Sequence, residues 1–246
     1  GDSNVAVGLN ALQQNTTANE NVAVGRNVLV NNTTGGTNTG IGAFCLDACT
    51  TGSNNSCVGH VAGGGITTGD GNDAFGRAAG SDITTGSNNL CIGSLAGTSG
   101  GPAGAITTNS NLIVIGNNSH TQASIKVSLT VTSDERDKTD ITDFSKGLDI
   151  INALRPVTYK WDMRSNYEDG KPDGTKKESK TNIGLIAQEV LTVEKANGFG
   201  ATNDDSLFVS QTNDGENFGM SYDRLVPVLV NAIKELSAKV TALEAA

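Results

Sequence analysis

Aromatic and basic side chains are scarce in this sequence. Its 246 residues include one tryptophan, three tyrosines and six phenylalanines, and 17 lysines and arginines stand against 26 aspartates and glutamates. The formal net charge of −9 argues against a general nucleic-acid binder, because a phosphate backbone has to be met by clustered lysine and arginine. Apolar runs of the ~18 to 20 residues that a membrane span needs are also missing. The composition therefore predicts neither a nucleic-acid partner nor membrane insertion.

An initial methionine and a signal peptide are missing as well. The chain starts at Gly1, and its first residues lack the charged-then-apolar pattern of a secretory leader. We expect the sequence to be an expressed or processed piece of a longer protein.

Glycine is abundant instead, and its distribution divides the chain after Thr132. Residues 1–132 hold 23 of the 31 glycines but only two of the ten aromatic residues. Residues 133–246 hold the other eight aromatics, with 14 basic and 20 acidic side chains. The second part can build an ordinary core, which we expect around Phe144, Tyr159, Trp161, Phe208 and Tyr222. The first part must be ordered in another way.

A repeat of 17 residues orders the first part. Glycine recurs with that step, and an asparagine stands four residues before each glycine. The glycines are Gly8, Gly25, Gly42, Gly59, Gly76 and Gly93, and the asparagines are Asn4, Asn21, Asn38, Asn55, Asn72 and Asn89. Each unit contains a short β-prone run, a second apolar patch and a Thr/Asn/Gly turn, which describes one coil of a β-solenoid. Since one coil cannot cover its own apolar side, we expect the coils to stack and bury a column of equivalent positions.

Two of these units read Asn-Val-Ala-Val-Gly, from Asn4 to Gly8 and from Asn21 to Gly25. They resemble the Asn-Ser-Val-Ala-Ile-Gly unit in the head repeats of YadA-type trimeric bacterial adhesins. The resemblance implies that residues 1–98 form a left-handed parallel β-roll, with three chains side by side.

The later units change at one apolar position. Leucine occupies it in the first three units and glycine in the next three, at Leu12, Leu29, Leu46, Gly63, Gly80 and Gly97. Because glycine fills less space than leucine, we expect this end of the solenoid to be thinner or packed more closely between chains.

The strict repeat ends after Gly97. A final variant of the unit ends at Gly116, which is offset from Gly93 by 23 residues instead of 17. Residues 124–131 then alternate apolar and polar side chains, which predicts a half-buried strand. We therefore interpret residues 99–132 as a connecting β segment.

Few residues in the chain could hold a transition metal. The two histidines and four cysteines have spacings that fit no zinc site. Cys45, Cys57 and Cys91 occupy positions held elsewhere by small residues, so we expect buried free thiols. A Cys45–Cys49 disulfide is the alternative, if a corner brings the two Cα atoms within ~7 Å. The Asp- and Asn-rich residues 203–216 are a calcium candidate without an EF-hand pattern, and our prediction is that the protein uses no metal or cofactor.

The hexapeptide Ser-Asp-Glu-Arg-Asp-Lys at residues 133–138 is the sharpest chemical motif. A serine becomes a nucleophile only beside a base, and a lysine can be that base if desolvation lowers its pKa toward neutrality. Both histidines, His60 and His120, lie in the solenoid region, so a serine–histidine–aspartate triad is not expected. Without further context, the hexapeptide is a charged and solvated turn.

Four blocks of residues 133–246 resemble, in the right order, the intramolecular chaperone domain of bacteriophage tailspikes, tail fibres and neck appendages, the peptidase S74 family. The blocks are Ser133 to Lys138, Gly147 to Trp161, Asn182 to Val190 and Tyr222 to Val230. The resemblance implies a domain that drives trimerisation of the β-rich fibre before it and then cuts itself off. It makes Ser133 the nucleophile, Lys138 its general base and Arg136 a supporting residue, with cleavage at the Ser133/Asp134 junction.

The chemical route of this cleavage stays open. Attack by Ser133 on its own carbonyl would close a strained four-membered ring. Attack on the Thr132 carbonyl is an ordinary N-to-O acyl shift. The junction is implied by the family resemblance alone.

The last segment, residues 222–246, is predicted to be a helix with a heptad seam. The seam residues step by three and four: Val226, Leu229, Ile233, Leu236, Val240 and Leu243. β-Branched residues at one seam position with leucine at the other favour coiled coils of two helices. We predict a coiled coil of three helices, because the solenoid repeats and the family resemblance both imply a trimer. The alternative is a helix that packs on its own domain through this stripe.

Together these expectations describe a homotrimeric fragment of a phage tail fibre or tailspike, with a mainly β solenoid and an α+β chaperone domain. It would be a serine peptidase that acts once, on itself, during assembly in the host cytoplasm, before the fibre enters the virion and the chaperone is released. Its partners would be its own copies and a host-surface glycan or receptor.

Two other functions remain open. A fibre that degrades polysaccharide needs paired carboxylates, and among the acids of residues 1–132 only Asp70 and Asp73 are close in sequence. An uncleaved trimeric cell-surface adhesin with a structural C-terminal trimerisation domain is the second possibility.

Overall fold

The computed structural model describes residues 1–212, 215 and 217–246. The chain forms two compact units. The first contains residues 1–121, 163–176 and the described part of 212–217, and the second contains residues 122–162, 177–211 and 218–246. A β-solenoid and a small α+β region with a long final helix are present, which confirms the predicted fold class. In the described chain, no helix is long and apolar enough to cross a membrane.

A parallel sheet of seven short strands, in sequence order, organises the first unit. The strands are Val5–Val7 (β1), Val22–Val24 (β2), Thr39–Ile41 (β3), Ser56–Val58 (β4), Asp73–Phe75 (β5), Leu90–Ile92 (β6) and Ile113–Ile115 (β7). Successive strands pair at the repeat spacing, as Ala6 does with Ala23, until Cys91 pairs with Val114 across the longer last coil. Each unit is therefore one coil, and β7 extends the sheet beyond the strict repeat.

The middle residue of each strand from β2 to β7 is buried inside the solenoid, because side chains alternate along a strand. Cysteine takes this inner position in β4 and β6, and all four cysteines are buried free thiols, as expected. Burial raises the pKa of Cys49 and of Cys91 to about 11. Since the reactive form of cysteine is the thiolate, these thiols act as small packing groups at neutral pH.

The glycine end of the solenoid is not thinner, so the first of the two alternatives expected there is wrong, and closer packing between chains stays a prediction. Isoleucines fill the space that leucine fills in the earlier coils, and Ile66, Ile83 and Ile106 are fully buried. The matching positions of the earlier coils hold Asn15, Asn32 and Cys49. A Cβ on Gly63 or on Gly80 would lie 3.1 Å from the Cδ1 of the isoleucine in its own coil. The leucine of the earlier coils and the isoleucine of the later coils therefore fill the same part of the core from two different positions of the repeat.

This exchange predicts strong coupling between Gly80 and Ile83. Gly80→Leu should destabilise the solenoid because the new side chain competes with Ile83 for one space, and Ile83→Asn should cost roughly 2–5 kcal/mol through lost apolar burial. The double variant recreates the Leu29 and Asn32 pair of an earlier coil. It should be more stable than the sum of the two single effects by at least ~1 kcal/mol. Urea unfolding of the four proteins measures this coupling, and strictly additive effects would contradict a shared space.

The strand predicted over residues 124–131 does not form. These residues belong to no regular element, and Ile125, Val127, Leu129 and Val131 are exposed. An alternating pattern becomes a strand only where another backbone pairs with it. Within the described chain, no segment pairs with these residues.

Three helices and two strand pairs form the second unit. The helices are Leu148–Ala153 (α1), Ala187–Ala196 (α2) and Leu225–Glu244 (α3). Val157–Tyr159 (β8) pairs antiparallel with Asn182–Gly184 (β9), and Val209–Gln211 (β10) pairs antiparallel with Phe218–Met220 (β11). Short 3₁₀ helices cover Glu135–Asp137 and Tyr222–Arg224 in this unit, and another, Arg164–Asn166, belongs to the first unit.

Aliphatic side chains dominate the core of the second unit. Phe208 is buried and Phe144 packs beside it, as predicted, in a cluster with Ile150, Val190, Val209, Leu225 and Val228. Trp161 and Tyr222 lie about half exposed, so their predicted core positions are wrong. Both have other contacts: the Trp161 ring lies edge-on to Tyr159, and the Tyr222 hydroxyl accepts a hydrogen bond from the Leu185 amide. Helix packing fills the core without them.

Helix α3 packs on its own unit through a face that lies beside the heptad seam, about a quarter turn around the helix from it. Leu225, Val228 and Ala232 are its buried residues. Farther along, the Glu235 carboxylate accepts a hydrogen bond of 3.2 Å from the amide of Leu148, where α1 begins. The seam itself is exposed, from 43% at Leu229 upward. Packing through the seam, the alternative drawn from the sequence, is therefore wrong.

Candidate functional site

A tight turn shapes the segment that begins at Ser133. The Asp134 side chain caps the 3₁₀ helix Glu135–Asp137 by accepting a hydrogen bond from the Arg136 amide. The turn closes when the Lys138 amide donates to the carbonyl of Glu135. Short-range capping of this kind needs no other part of the chain, so the sequence alone specifies the turn.

The turn brings Ser133 and Lys138 together. The Lys138 Nζ lies 2.6 Å from the Ser133 Oγ and donates a hydrogen bond to it. A neutral lysine at this position would be within reach of the serine proton, as general-base catalysis requires. The structure therefore juxtaposes the two residues for which the family resemblance implies the roles of nucleophile and base.

Both side chains of this pair are exposed to solvent in the single chain. Water stabilises the charged form of an amine, and burial is what allows a lysine to work as a neutral base. The single chain therefore supplies the geometry of a serine–lysine pair but not its desolvation.

Arg136 contacts Asp134 and not the serine. Its guanidinium forms a two-pronged pair with the carboxylate, through Nε at 3.0 Å and a terminal nitrogen at 2.6 Å. The hydrogen bond from the Arg136 side chain lowers the pKa of Asp134, although both groups are exposed. Arg136 thus orders the residue that follows Ser133, which fits the supporting role assigned to it.

The other candidates from the sequence have structural partners. The Asp70 carboxylate accepts a hydrogen bond of 2.7 Å from the amide of Ser53 in the neighbouring coil, whereas Asp73 lies in strand β5. The calcium candidate, residues 203–216, lies partly outside the described residues. In its described part, hydrogen bonds from Thr202 lower the pKa of Asp205. Over the residues that the structure describes, no three His, Cys, Asp or Glu side chains converge as a metal site.

Sequence reasoning missed Glu194, which is buried in α2. Its carboxylate accepts hydrogen bonds from the Phe208 amide and, at 2.8 Å, from the Ser206 hydroxyl. These bonds attach α2 to the segment that leads into β10. An isolated glutamate in an amphipathic helix carries no signal of such burial, because tertiary packing alone decides it.

The fold and the local geometry define a class: a β-solenoid followed by a small α+β region that presents a serine–lysine pair. Residues 133–199 match the protein family Peptidase_S74, described as the chaperone of endosialidase. The match begins at Ser133, runs through α1 and α2, and covers about a quarter of the chain. It supports an intramolecular chaperone of the tail-fibre or tailspike kind in this segment.

Two further comparisons give no relatives. No curated protein and no solved structure matches the chain. The likeness of the solenoid to adhesin heads therefore still rests on its Asn-Val-Ala-Val-Gly units.

Proposed function

We propose that this chain is a homotrimeric fragment of a phage tail fibre or tailspike that carries its own chaperone. Residues 133–246 direct trimerisation and folding of the solenoid and then release themselves by cleavage at the Ser133/Asp134 junction. Ser133 is the nucleophile and Lys138 its base. The observation that carries this proposal is the 2.6 Å contact between their side chains at the first residue of the family match.

A slowly folding fibre benefits from such a device. Stacked coils present open strand edges until they are complete, and β structure with many nonlocal pairings folds slowly and is prone to misassembly. A trimerising region raises the local concentration of the chains. Its later removal leaves the fibre kinetically trapped and makes assembly irreversible.

Exposed apolar side chains support association of the chain with its own copies. The six seam residues of α3 are between 43% and 76% exposed. A second apolar row runs along the outer face of the solenoid sheet, through Val7, Ile41, Val58, Phe75, Ile92 and Ile115. Contiguous apolar surfaces of this kind mark protein–protein contacts. A parallel three-stranded coiled coil would bury the seam.

Assembly would also supply the desolvation that the single chain lacks. Ser133 and Lys138 are exposed in one chain, so neighbouring chains are the available source of burial. Cleavage would then follow trimerisation and not precede it.

Seam variants test this link. Ile233→Asp together with Leu236→Asp should reduce the light-scattering mass from three chains to one, because charge in a coiled-coil seam prevents association. The same variant should cleave at least ~10-fold more slowly, since the pair stays hydrated. Ala238→Asp, on the same helix but outside the seam, is the matched control. A seam variant that still cleaves at the wild-type rate as a monomer would contradict the link.

The mass of the cleavage product distinguishes the two chemical routes of cleavage. The presence of any product also argues against the uncleaved adhesin. Release at the Ser133/Asp134 junction produces a fragment that begins with Asp134. Hydrolysis after an acyl shift at Thr132 produces one that is heavier by a serine residue. Intact mass measurement distinguishes the two. A wild-type trimer that stays at full length would instead support the uncleaved adhesin.

A further inference from the structure

Positive charge is concentrated at one position of the solenoid repeat. Residues 1–132 contain only three lysines and arginines. Two of them, Arg26 and Arg77, share one position of the unit with His60, directly after the repeat glycine. None of the six acids of residues 1–132 occupies this position. We call Arg26, His60 and Arg77 the basic column.

The backbone beneath the basic column is held firmly. The carbonyl oxygens of Arg26, His60 and Arg77 each accept a hydrogen bond of 2.9–3.0 Å from an amide of the next coil. Stacked strands are ~4.8 Å apart, so Arg26 and Arg77, three coils apart, are separated by roughly 14 Å along the solenoid axis. The charges therefore stand on a rigid scaffold at defined intervals.

An aromatic side chain orients the first charge of the column. The Arg26 guanidinium carbon lies 4.5 Å from the centre of the Phe44 ring. That ring in turn meets His60 edge-on, with ring centres 6.0 Å apart. Stacking on an aromatic face occupies the flat side of a guanidinium and leaves its N–H edge free to donate.

Both arginines of the column lack a charged partner. Salt bridges in the described chain are those of Arg136 with Asp134 and Arg155 with Glu189. Arg26 and Arg77 are exposed and form no side-chain hydrogen bond with another described residue. Two exposed guanidinium groups without an acidic partner among the described residues, one of them stacked on Phe44, present a local site for anions in a protein of net charge −9.

We propose that the basic column binds a linear anionic glycan through its carboxylates, with the polymer running along the solenoid axis. Guanidinium groups bind carboxylates in a two-pronged geometry. A single exposed arginine–carboxylate ion pair is weak. Several such pairs can form at once when a polymer with repeated carboxylates lies along a solenoid with repeated arginines, and their contributions then add to the affinity. The acids elsewhere on the solenoid repel the same polymer, which confines it to the column. This inference rests on the proposed role of the solenoid as the surface-contacting part of a fibre.

Binding of defined oligosaccharides to the full chain tests the site. An oligogalacturonate should bind, and a neutral malto-oligosaccharide of the same length should not. Arg26→Gln and Arg77→Gln should each weaken binding roughly tenfold, as expected for loss of a charge-assisted hydrogen bond. Lys126→Gln is the matched control, because it removes the third basic charge of residues 1–132 away from the column. Arg26→Lys keeps the charge without the fork and should bind weakly.

Four outcomes would overturn the inference. They are no oligogalacturonate binding by the wild type, an equal loss in Lys126→Gln, equally tight binding of inorganic polyphosphate, and a change of light-scattering mass in the arginine variants. The last would show that the column contacts a second chain. Cleavage and mass are measured on the same samples. Lost glycan binding in a cleaving trimer sinks only this inference, whereas an uncleaved monomer sinks the proposed function.

Discussion

Replacing Ser133 with alanine is expected to abolish self-cleavage and keep the chain at its full 246 residues. The substitution removes the hydroxyl that Lys138 contacts at 2.6 Å and leaves no oxygen nucleophile at this position. Lys138→Ala should slow cleavage by about 10²–10⁴-fold, the usual contribution of a general base. Denaturing gels and intact mass measurements over time follow the full-length chain and the fragment that contains α3.

Matched variants separate chemistry from folding. Ser128→Ala and Lys126→Ala change the same residue types in the neighbouring exposed segment and should cleave like the wild type. Lys138→Arg retains a charged donor but cannot lose its proton, so it should be as slow as Lys138→Ala. If Lys138→Arg cleaves normally, Lys138 only positions the serine. If Ser133→Ala is cut as fast as the wild type, the assignment of the nucleophile fails.

Removing one asparagine from the inner ladder of the solenoid should strongly lower the free energy of unfolding. Asn21, Asn38, Asn55 and Asn72 are fully buried. The Asn55 Nδ2 donates to the Gly69 carbonyl at 3.0 Å, and its Oδ1 accepts from the Asn72 amide at 2.9 Å. Asn55→Ala leaves both backbone groups buried without partners, at roughly 1–3 kcal/mol each, so we expect a loss of about 2–6 kcal/mol.

The neighbouring residue provides the control for this loss. Asn54 is exposed and has a φ of 60°, a conformation that glycine adopts readily. Asn54→Gly should therefore change the free energy of unfolding by no more than about 0.5 kcal/mol. Urea unfolding followed by far-ultraviolet circular dichroism compares the two variants. Equal effects at Asn54 and Asn55 would show that the ladder bonds contribute little.

The solenoid could be predicted because its information is repeated. Asn38 and Asn55 have the same surroundings one coil apart, so the spacing of 17 residues is also the register of strand pairing. Alternation then assigns Cys57 to the inside and Val58 to the outside of strand β4. Local pattern and tertiary register coincide in such a fold.

The serine–lysine contact was also within reach of the sequence. Ser133 and Lys138 are five residues apart and are joined by a capped turn, so only local geometry is needed to bring them together. What surrounds them is not local. Whether solvent or another chain covers the pair depends on assembly, and the hexapeptide carries no information on that point.

Other features were decided by packing alone. The solenoid is not thinner at its glycine end because Ile83 fills the space beside Gly80. The apolar side chain has moved to another position of the repeat, and comparing equivalent positions one at a time does not show this. The strand expected over residues 124–131 failed because no described segment pairs with it. In both places the structure depends on which other residues pack against or pair with the segment, and the local sequence pattern does not predict them.

By itself, the sequence determined the coil length, the inward residues of the solenoid strands and the turn that carries Ser133. All of these follow from periodicity or from contacts between residues close in the chain. The division that composition placed after Thr132 lies after Thr121 in the structure. Only the tertiary structure decided which face of α3 is covered, that Glu194 is buried, and that Trp161 lies at the surface. Such choices depend on which distant surfaces meet and exclude water, and an amphipathic segment is compatible with more than one answer.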